Sequence, residues 1–399
     1  MISISKLYCD ETFHHDPLRY GKKIEGDDPY SHKLYTSAKS RKPVVVWSMT
    51  RTCNLNCIHC YTDSENKKYD GELTTEQAKV MIDDLADYQI PALLFSGGEP
   101  LIRNDFFELA EYAHSKGIRI VISTNATLID EDTAENIKEA GFIYVGASLD
   151  GVGEINDHFR GKKGAFDEAV RGIRNAKKAG LKISLRMTLT KHNVSNLAGI
   201  FDFVEKENIE RLCFYHLAYS GRGRAISSED CSKDETRKAV DFILDKAREF
   251  HNNGLKKDIL TVDNHADGVY IYLRLLKEDK PRAESVKELL EWNGGGANSS
   301  GVGIANIDFF GSVHPDQFWM DYSFGNVKER KFSEIWEDVS DPLMAGLKNR
   351  LNLLKGRCGK CKWIKMCGGS LRARANFIYN DPWAEDPACY LTDEEIGEN

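Results

Sequence analysis

Three cysteines lie within eight residues, at Cys53, Cys57 and Cys60, shortly after the apolar run Val44–Trp47. Together their thiolates can bind one small inorganic group. A structural zinc ion normally takes a fourth nearby Cys or His, and His59 could supply it. An iron–sulfur cube with three cysteine ligands instead leaves one iron open to a small chelating ligand. The loop therefore indicates an iron–sulfur site, with a zinc site or buried free thiols as the alternatives.

The spacing of three and then two residues between these cysteines resembles that of the radical S-adenosylmethionine (SAM) superfamily. In that family the three sulfurs hold a 4Fe-4S cluster whose open iron binds the amine and the carboxylate of SAM. The resemblance implies SAM and a 4Fe-4S cluster as cofactors. It also implies that His59, where the family usually has an aromatic residue, meets the adenine through its backbone.

A second motif, Ser96-Gly97-Gly98-Glu99-Pro100, follows the predicted strand Ala92–Phe95. Two glycines let the backbone approach a ligand closely, and a carboxylate at a strand end can receive an ammonium group. Ordinary turns also use glycine pairs. The motif resembles the Gly-Gly-Glu-Pro motif of the same superfamily, which implies that this segment contacts the methionine amine of SAM.

The composition limits the class of protein. A chain of 399 residues with 41% hydrophobic content predicts one large domain and a smaller one, and a net charge of −8 argues against a nucleic-acid surface. No stretch resembles a signal peptide or is long enough to span a bilayer. Ten cysteines without an export signal indicate metal ligands rather than disulfides, so we expect a cytoplasmic protein.

From Val44 onward, six short apolar segments alternate with amphipathic helices. This pattern predicts an α/β fold, a partial (β/α)6 TIM-type barrel with a parallel sheet inside and helices outside. Sites in such sheets form at the carboxyl ends of the strands. We divide the chain into an N-terminal extension (1–43), a core barrel (44–255), a helical linker (256–295) and a small C-terminal domain (296–399).

The third and fourth predicted strands end in polar side chains that can bind the ribose and methionyl groups of SAM. Ser123 and Asn125 end the third strand, and Ser148 and Asp150 end the fourth. Their hydroxyl, amide and carboxylate groups can bind ribose hydroxyls or the methionyl group, although the same residue types also cap helices. Arg186, in an apolar strand, needs a carboxylate partner, which a ligand or a structural salt bridge could supply.

The second cysteine group lies near the C-terminus and consists of Cys358, Cys361, Cys367 and Cys389. Four thiolates can close a complete cluster or bind one zinc ion. The spacing resembles the SPASM domain, an iron–sulfur module that follows some radical SAM barrels. Because Asp316 and Leu371 occupy positions where the fuller pattern has cysteine, the resemblance implies one auxiliary 4Fe-4S cluster rather than two.

Longer stretches of the sequence narrow the resemblance to one subfamily. Val313–Asp316, His265–Tyr270 and Asp381–Pro387 resemble the radical SAM enzymes of d1 haem biosynthesis, whose sister is the sirohaem-route haem synthase. The resemblance implies 12,18-didecarboxysirohaem as substrate, with propionates removed as oxo groups are installed. The haem synthase would instead convert propionates to vinyl groups. The resemblance also implies a ferredoxin or flavodoxin as electron donor. It further implies that the auxiliary cluster accepts or relays an electron.

Two other functions stay open. One is a SPASM peptide maturase, which usually has an N-terminal peptide-binding module and the fuller cysteine set. The other is an iron–sulfur or zinc regulatory protein, against which the acidic balance weighs.

A tetrapyrrole needs basic groups for its carboxylates and can use a ligand for its iron. His216 and Arg222, at and after the sixth strand, are the predicted catalytic residues. His265 and His314 are further candidates for the iron or a propionate. Each of these four also has an ordinary structural interpretation, as a surface residue or a core residue with satisfied hydrogen bonds.

Overall fold

One sheet of eleven strands organises the residues that the computed structural model describes, which are 1–14, 16–20, 42–293 and 300–397. The strand order is β1-β8-β7-β6-β5-β4-β3-β2-β9-β10-β11. The strands are β1 Ile2–Ser3, β2 Val44–Thr50, β3 Leu93–Gly97, β4 Ile120–Thr124, β5 Val145–Ser148, β6 Ile183–Leu189, β7 Arg211–His216, β8 Asp258–Val262, β9 Ile304–Ile307, β10 Ser312–His314 and β11 Gly325–Asn326.

Helices connect these strands, and they begin and end as follows: α1 Ile4–Cys9, α2 Asp16–Tyr20, α3 Thr75–Asp87, α4 Phe106–Ser115, α5 Glu131–Glu139, α6 Glu154–Arg160, α7 Ala165–Lys178, α8 Leu197–Lys206, α9 Lys233–Asn252, α10 Ala266–Glu278, α11 Lys280–Trp292, α12 Phe332–Glu337, α13 Pro342–Lys348, α14 Gly356–Lys360, α15 Ile364–Cys367, α16 Arg372–Tyr379 and α17 Asp393–Ile396. Among the described residues, no helix is long and apolar enough to cross a membrane.

The predicted α/β class and parallel sheet are confirmed. All six predicted strands, β2 to β7, form and pair in parallel with their neighbours in chain order. Two further parallel strands extend the run, β8 beside β7 and β9 beside β2. The core sheet is therefore larger than the six strands that the sequence pattern predicted.

The segment 256–295, predicted as a helical linker, begins with β8 before α10 and α11. All five residues of β8 are buried, including Asp258 and Thr261. The strand is short and carries polar residues at two of its positions, so its periodicity is weak in the sequence. The predicted boundary between 295 and 296 lies outside the described residues.

The predicted N-terminal extension also joins the sheet. Its first strand, β1, pairs antiparallel with β8, and Ser5 at the start of α1 donates a hydrogen bond to the carbonyl of Lys257. Residue 15 and residues 21–41 of this segment lie outside the described residues. The part of the extension that is described therefore adds a strand to the sheet.

Helix α6 was not predicted, and it lies against the cysteine loop. It is only seven residues long, and Gly153 and Gly161 flank it in backbone conformations with positive φ. Short glycine-bounded segments are typical of loops, which explains the omission. By contrast, α3 begins with the predicted capping box of Thr74 and Gln77.

A buried ion pair fastens the C-terminal region to the barrel. The guanidinium of Arg374 donates to both carboxylate oxygens of Asp386, at 3.0 and 2.9 Å. It also donates to the carbonyl oxygens of Leu217 and Asp263, just beyond β7 and β8. Because neither charge is exposed, the pair depends on these bonds to offset its desolvation.

We expect Arg374→Met to lower the free energy of unfolding by about 3–5 kcal/mol, because it leaves the Asp386 carboxylate buried without its charge partner. Arg330→Met is the matched control, since Arg330 pairs with Asp338 at the surface, and it should cost about 1 kcal/mol or less. Anaerobic chemical denaturation of both variants measures the difference. Equal losses of unfolding free energy in the two variants would contradict the large contribution proposed for the Arg374–Asp386 pair.

Candidate functional site

A cavity of about 310 Å³ lies inside the curved sheet. Alternate residues of each strand line it, such as Val44 and Val46 of β2 or Arg211, Cys213 and Tyr215 of β7. This is the alternation of a strand, whose other residues face the outer helices. Residues at and beyond the carboxyl ends of the strands form one end of the wall.

The three cysteines of the first motif all lie in this wall. Cys53 is buried, and Cys57 and Cys60 are half-buried. Burial raises the pKa of Cys53 to about 12 and also raises that of Cys57. Because a metal ligand must be a thiolate, binding of iron by these cysteines would release protons.

Hydrogen-bond donors surround the three sulfurs, as the sulfurs of an iron–sulfur cluster require. These donors are the Leu55 amide (3.5 Å) and the Asn125 side-chain amide (3.9 Å) to Cys53, the Arg160 guanidinium (3.6 Å) to Cys57, and the Ser64 amide (3.5 Å) to Cys60. The donor set thus fits a cluster held by three thiolates.

The glycine pair holds the start of the cysteine loop. The amide of Gly98 donates to the Thr50 carbonyl at 2.7 Å, and the amide of Glu99 donates to the Thr52 carbonyl at 2.9 Å. A Cβ on Gly98 would lie 2.2 Å from the Thr52 carbonyl oxygen. Gly97 has φ +122°, which favours glycine. The close approach expected of these glycines is therefore made to the backbone ahead of Cys53, and both also line the cavity.

Glu99 is fully buried and is not among the residues lining the cavity. Its carboxylate accepts hydrogen bonds from the amides of Leu101 and Asn125 and from the hydroxyl of Thr124. Burial nevertheless raises its pKa to about 7. In the structure this carboxylate joins the loops after β3 and β4, and its contact with a SAM amine stays a prediction.

Arg160, which the sequence did not suggest, holds the other side of the cysteine loop. The carbonyls of Arg160 and Phe159 accept from the amides of Asn56 (3.2 Å) and Ile58 (3.0 Å). The Arg160 guanidinium lies between the Cys57 sulfur and the Asp150 carboxylate. Only its position at the end of the unpredicted α6 places it there, so no motif could have identified it.

Asp150 and His59 lie together in the wall. His59 Nε2 is 3.2 Å from Asp150 Oδ2, and the backbone amide of Thr188 donates to Oδ1 at 2.7 Å. Although burial opposes it, the positive charge of Arg160 and the His59 ring hold the pKa of Asp150 at about 2. The imidazole of His59 is therefore directed at a carboxylate.

The remaining predicted SAM contacts, Ser123, Asn125, Ser148 and Arg186, all line the cavity. Arg186 donates a hydrogen bond to the hydroxyl of Ser123, and a Cβ on Gly146 would lie 2.6 Å from its guanidinium carbon. Within the described ranges Arg186 makes no ion pair with a carboxylate, so the structural salt bridge considered for it is not found there. Its positive charge faces the cavity.

The two predicted catalytic residues occupy different places. His216 is buried in the cavity wall, and its Nε2 lies 2.9 Å from Asp267 Oδ2. Burial works against it, but Asp267 raises the pKa of His216. Arg222 instead lies behind the cysteine loop, where it donates to the Cys57 carbonyl (2.8 Å) and pairs with Asp63 (3.0 Å). It is not among the lining residues, so the structure assigns it a supporting position rather than a place in the pocket.

The two further histidines also differ. His265 lies in the cavity wall. His314 does not, and both of its ring nitrogens are engaged, with the Tyr322 carbonyl (2.7 Å) and Asp308 (3.2 Å).

The second cysteine group comes together in the C-terminal region. Burial raises the pKa of Cys367, and the nearby thiols of Cys358, Cys389 and Cys361 raise it further. Over the described ranges, no three His, Cys, Asp or Glu side chains are close enough to share a single metal ion. A four-iron cluster is wider than one ion, so its cysteine ligands stand further apart than those of zinc.

Comparisons with known proteins agree with this geometry. A sequence model of the radical SAM superfamily matches residues 47–204. The Fe-coproporphyrin III synthase of Methanosarcina barkeri is 55% identical over 100% of this chain and 99% of its own length. The pre-heme d1 synthase of Dinoroseobacter shibae is 42% identical over 98% of this chain and 92% of its own length.

The fold is also that of a solved protein. The structure of native anSMEcpe with bound AdoMet superposes with a TM-score of 0.67 over 89% of this chain and 96% of that one, at 22% identity. The shared fold therefore extends beyond residues 47–204 into the C-terminal region.

We expect Gly98→Ala to displace the cysteine loop, because the new Cβ would lie 2.2 Å from the Thr52 carbonyl oxygen. Reconstituted protein should then bind less iron, because Cys53, Cys57 and Cys60 no longer converge. Gly199→Ala in α8 is the control, since its nearest neighbour is a side-chain atom of Asn196 at 3.2 Å. Iron analysis after anaerobic reconstitution tests this, and an undiminished iron content in Gly98→Ala would refute it.

Proposed function

This chain belongs to the radical SAM superfamily, among its enzymes of haem biosynthesis, and we propose that it removes carboxyl-bearing side chains from 12,18-didecarboxysirohaem. The observation that carries the proposal is the 55% identity, along the whole chain, to a synthase of an iron porphyrin. The three cysteines in the cavity wall supply the matching chemistry.

Fe-coproporphyrin III is the product we propose. This compound keeps its propionates, so making it requires the loss of other side chains. The d1 route that the sequence strings implied would instead remove propionates. The higher identity, 55% against 42%, favours Fe-coproporphyrin III, and pre-haem d1 stays the second candidate because that relative also covers nearly the whole chain.

Cys53, Cys57 and Cys60 would hold the 4Fe-4S cluster. When bound there, the cluster and SAM would supply the radical chemistry for hydrogen abstraction from the substrate. Arg160 offsets negative charge at Cys57 and is itself held by Asp150. The chain thus places a fixed positive charge beside a thiolate in a buried site, where such a pairing is strong.

Polar residues on the cysteine side of the cavity would bind SAM. We assign Ser123, Asn125 and Ser148 to its hydroxyl and methionyl groups, together with Gly97 and Gly98. Arg186 would pair with a carboxylate of SAM or of the substrate, because the described residues give it no carboxylate of their own. Asp150 acts indirectly, by orienting His59 and Arg160.

Apolar residues from the C-terminal half exclude water from the cavity. Ala218, Phe318 and Leu371 line it and belong to one buried apolar group. Phe318 also packs on the Tyr61 ring, with centroids 5.4 Å apart. Such exclusion protects a radical from side reactions.

Cys358, Cys361, Cys367 and Cys389 would hold an auxiliary 4Fe-4S cluster that relays an electron to the reaction. An acetate side chain lost after hydrogen abstraction leaves as a carboxymethyl radical, which needs one electron and one proton to become acetate. A hydrogen-bonded chain supports this relay. Tyr390, next to Cys389, donates to Asp267 at 2.8 Å, and Asp267 bonds His216 in the cavity wall. A ferredoxin or flavodoxin would supply the electrons that start each turnover.

Replacing Cys53, Cys57 or Cys60 with Ala should abolish 5′-deoxyadenosine formation and leave about half of the iron. Replacing Cys358 or Cys361 should retain some cleavage of SAM but stop tetrapyrrole conversion, because the electron that the reaction needs is no longer relayed. Chromatography of both products after anaerobic turnover measures this. Cys9→Ala, a half-buried cysteine outside both groups, is the control. Normal tetrapyrrole turnover in the Cys358 and Cys361 variants would rule out the relay.

Anaerobic incubation with 12,18-didecarboxysirohaem, SAM and dithionite, followed by mass analysis of the tetrapyrrole, tests the proposed reaction. We expect Fe-coproporphyrin III. An oxo-bearing product that has lost propionates would select the d1 route, and a vinyl-bearing product would select a haem synthase. No change in the tetrapyrrole, with SAM cleaved, would reject all three.

A further inference from the structure

Three buried polar atoms in the cavity wall have no partner among the described residues. They are Asp263 Oδ2, His265 Nδ1 and Gln317 Oε1, and all three residues line the cavity. Asp263 and His265 follow β8, at the opposite end of the parallel run from β2 and its cysteines. Buried polar groups are rarely left without partners, so this wall points to a bound polar ligand.

The histidines near the cavity are not equivalent. Both ring nitrogens of His314 are engaged, and Nε2 of His216 bonds Asp267. His265 has one ring nitrogen that is buried without a partner, and only 5% of the residue's surface is exposed. Of these three side chains, His265 is therefore the one whose imidazole is not committed to a carboxylate.

The backbone around His265 is firmly held. Its amide donates to the Ser370 hydroxyl at 3.0 Å, and the side chain of Asn264 donates to the Ala388 carbonyl at 2.9 Å. The Asp263 carbonyl accepts from Arg374. A ligand on such a support is preorganised, which is what precise placement of a metal requires.

We propose that His265 is the axial ligand of the iron of the tetrapyrrole substrate. Imidazole is a common ligand of tetrapyrrole iron. The proposal rests on the proposed function, since it needs an iron tetrapyrrole in this cavity. Coordination from the β8 side fixes the plane of the macrocycle and turns its other face toward the cysteine side. Asp263 and Gln317 then lie beside it as hydrogen-bonding partners for its polar side chains.

Soret-excited resonance Raman spectroscopy of the anaerobically reconstituted protein with ferrous coproporphyrin III tests this assignment. The wild type should show an iron–imidazole stretching band that shifts when the histidines of the protein are labelled with ¹⁵N. The band should vanish in His265→Ala and return with added imidazole, now without the isotope shift. His216→Gln, which changes the neighbouring histidine of the wall, should keep the band.

A band that survives in His265→Ala, or that disappears in His216→Gln alone, would overturn the assignment. Metal-free coproporphyrin III, followed by fluorescence, should bind wild type and His265→Ala with affinities within about threefold of each other. If His265→Ala does not fold, His265→Gln replaces it. Failure of the wild type to bind either porphyrin would instead reject the proposed function, whereas binding without an isotope-sensitive band rejects only the axial ligand.

Discussion

Backbone hydrogen bonds from three directions hold the loop that carries Cys53, Cys57 and Cys60. The glycine pair after β3 holds its start, the end of α6 holds its middle, and the amide of Arg222 bonds the Cys60 carbonyl at 2.9 Å. A Cβ on Gly221 would lie 2.3 Å from that same carbonyl oxygen. Because these contacts are made by main-chain atoms, the position of the sulfurs depends on how closely three separate segments approach. Everything proposed for the cavity depends on that approach.

Two buried charge pairs lie at the cavity wall. Arg160 with Asp150 and His216 with Asp267 are both buried, and each joins a strand end to a following segment. In a low-dielectric interior an unpaired charge is costly, so each pair fixes the geometry of its members. Arg186 lacks a carboxylate partner within the described part of the chain and has only the Ser123 hydroxyl. The paired residues therefore fix the shape of the site, whereas Arg186 is suited to bind an anion.

The sequence was informative where chemistry depends on local spacing, and less so where it depends on tertiary contacts. The cysteine loop, the six parallel strands and the capping box of Thr74 follow from short-range patterns. Arg160 could not be found, because a seven-residue helix between glycines has no clear periodicity. Glu99 and Arg222 were predicted to contact ligands, but in the structure their side chains make tertiary hydrogen bonds to backbone atoms of neighbouring loops. Strand β8 was missed because buried polar residues obscured its alternation.

The contacts of Arg374 link the second cysteine group to the cavity wall. Asp386 lies three residues before Cys389, so one short stretch both anchors the C-terminal region to the ends of β7 and β8 and carries a cysteine of the second group. A change between Asp386 and Cys389 would therefore act on two places at once, the second cysteine group and the cavity wall that Arg374 holds at Leu217 and Asp263.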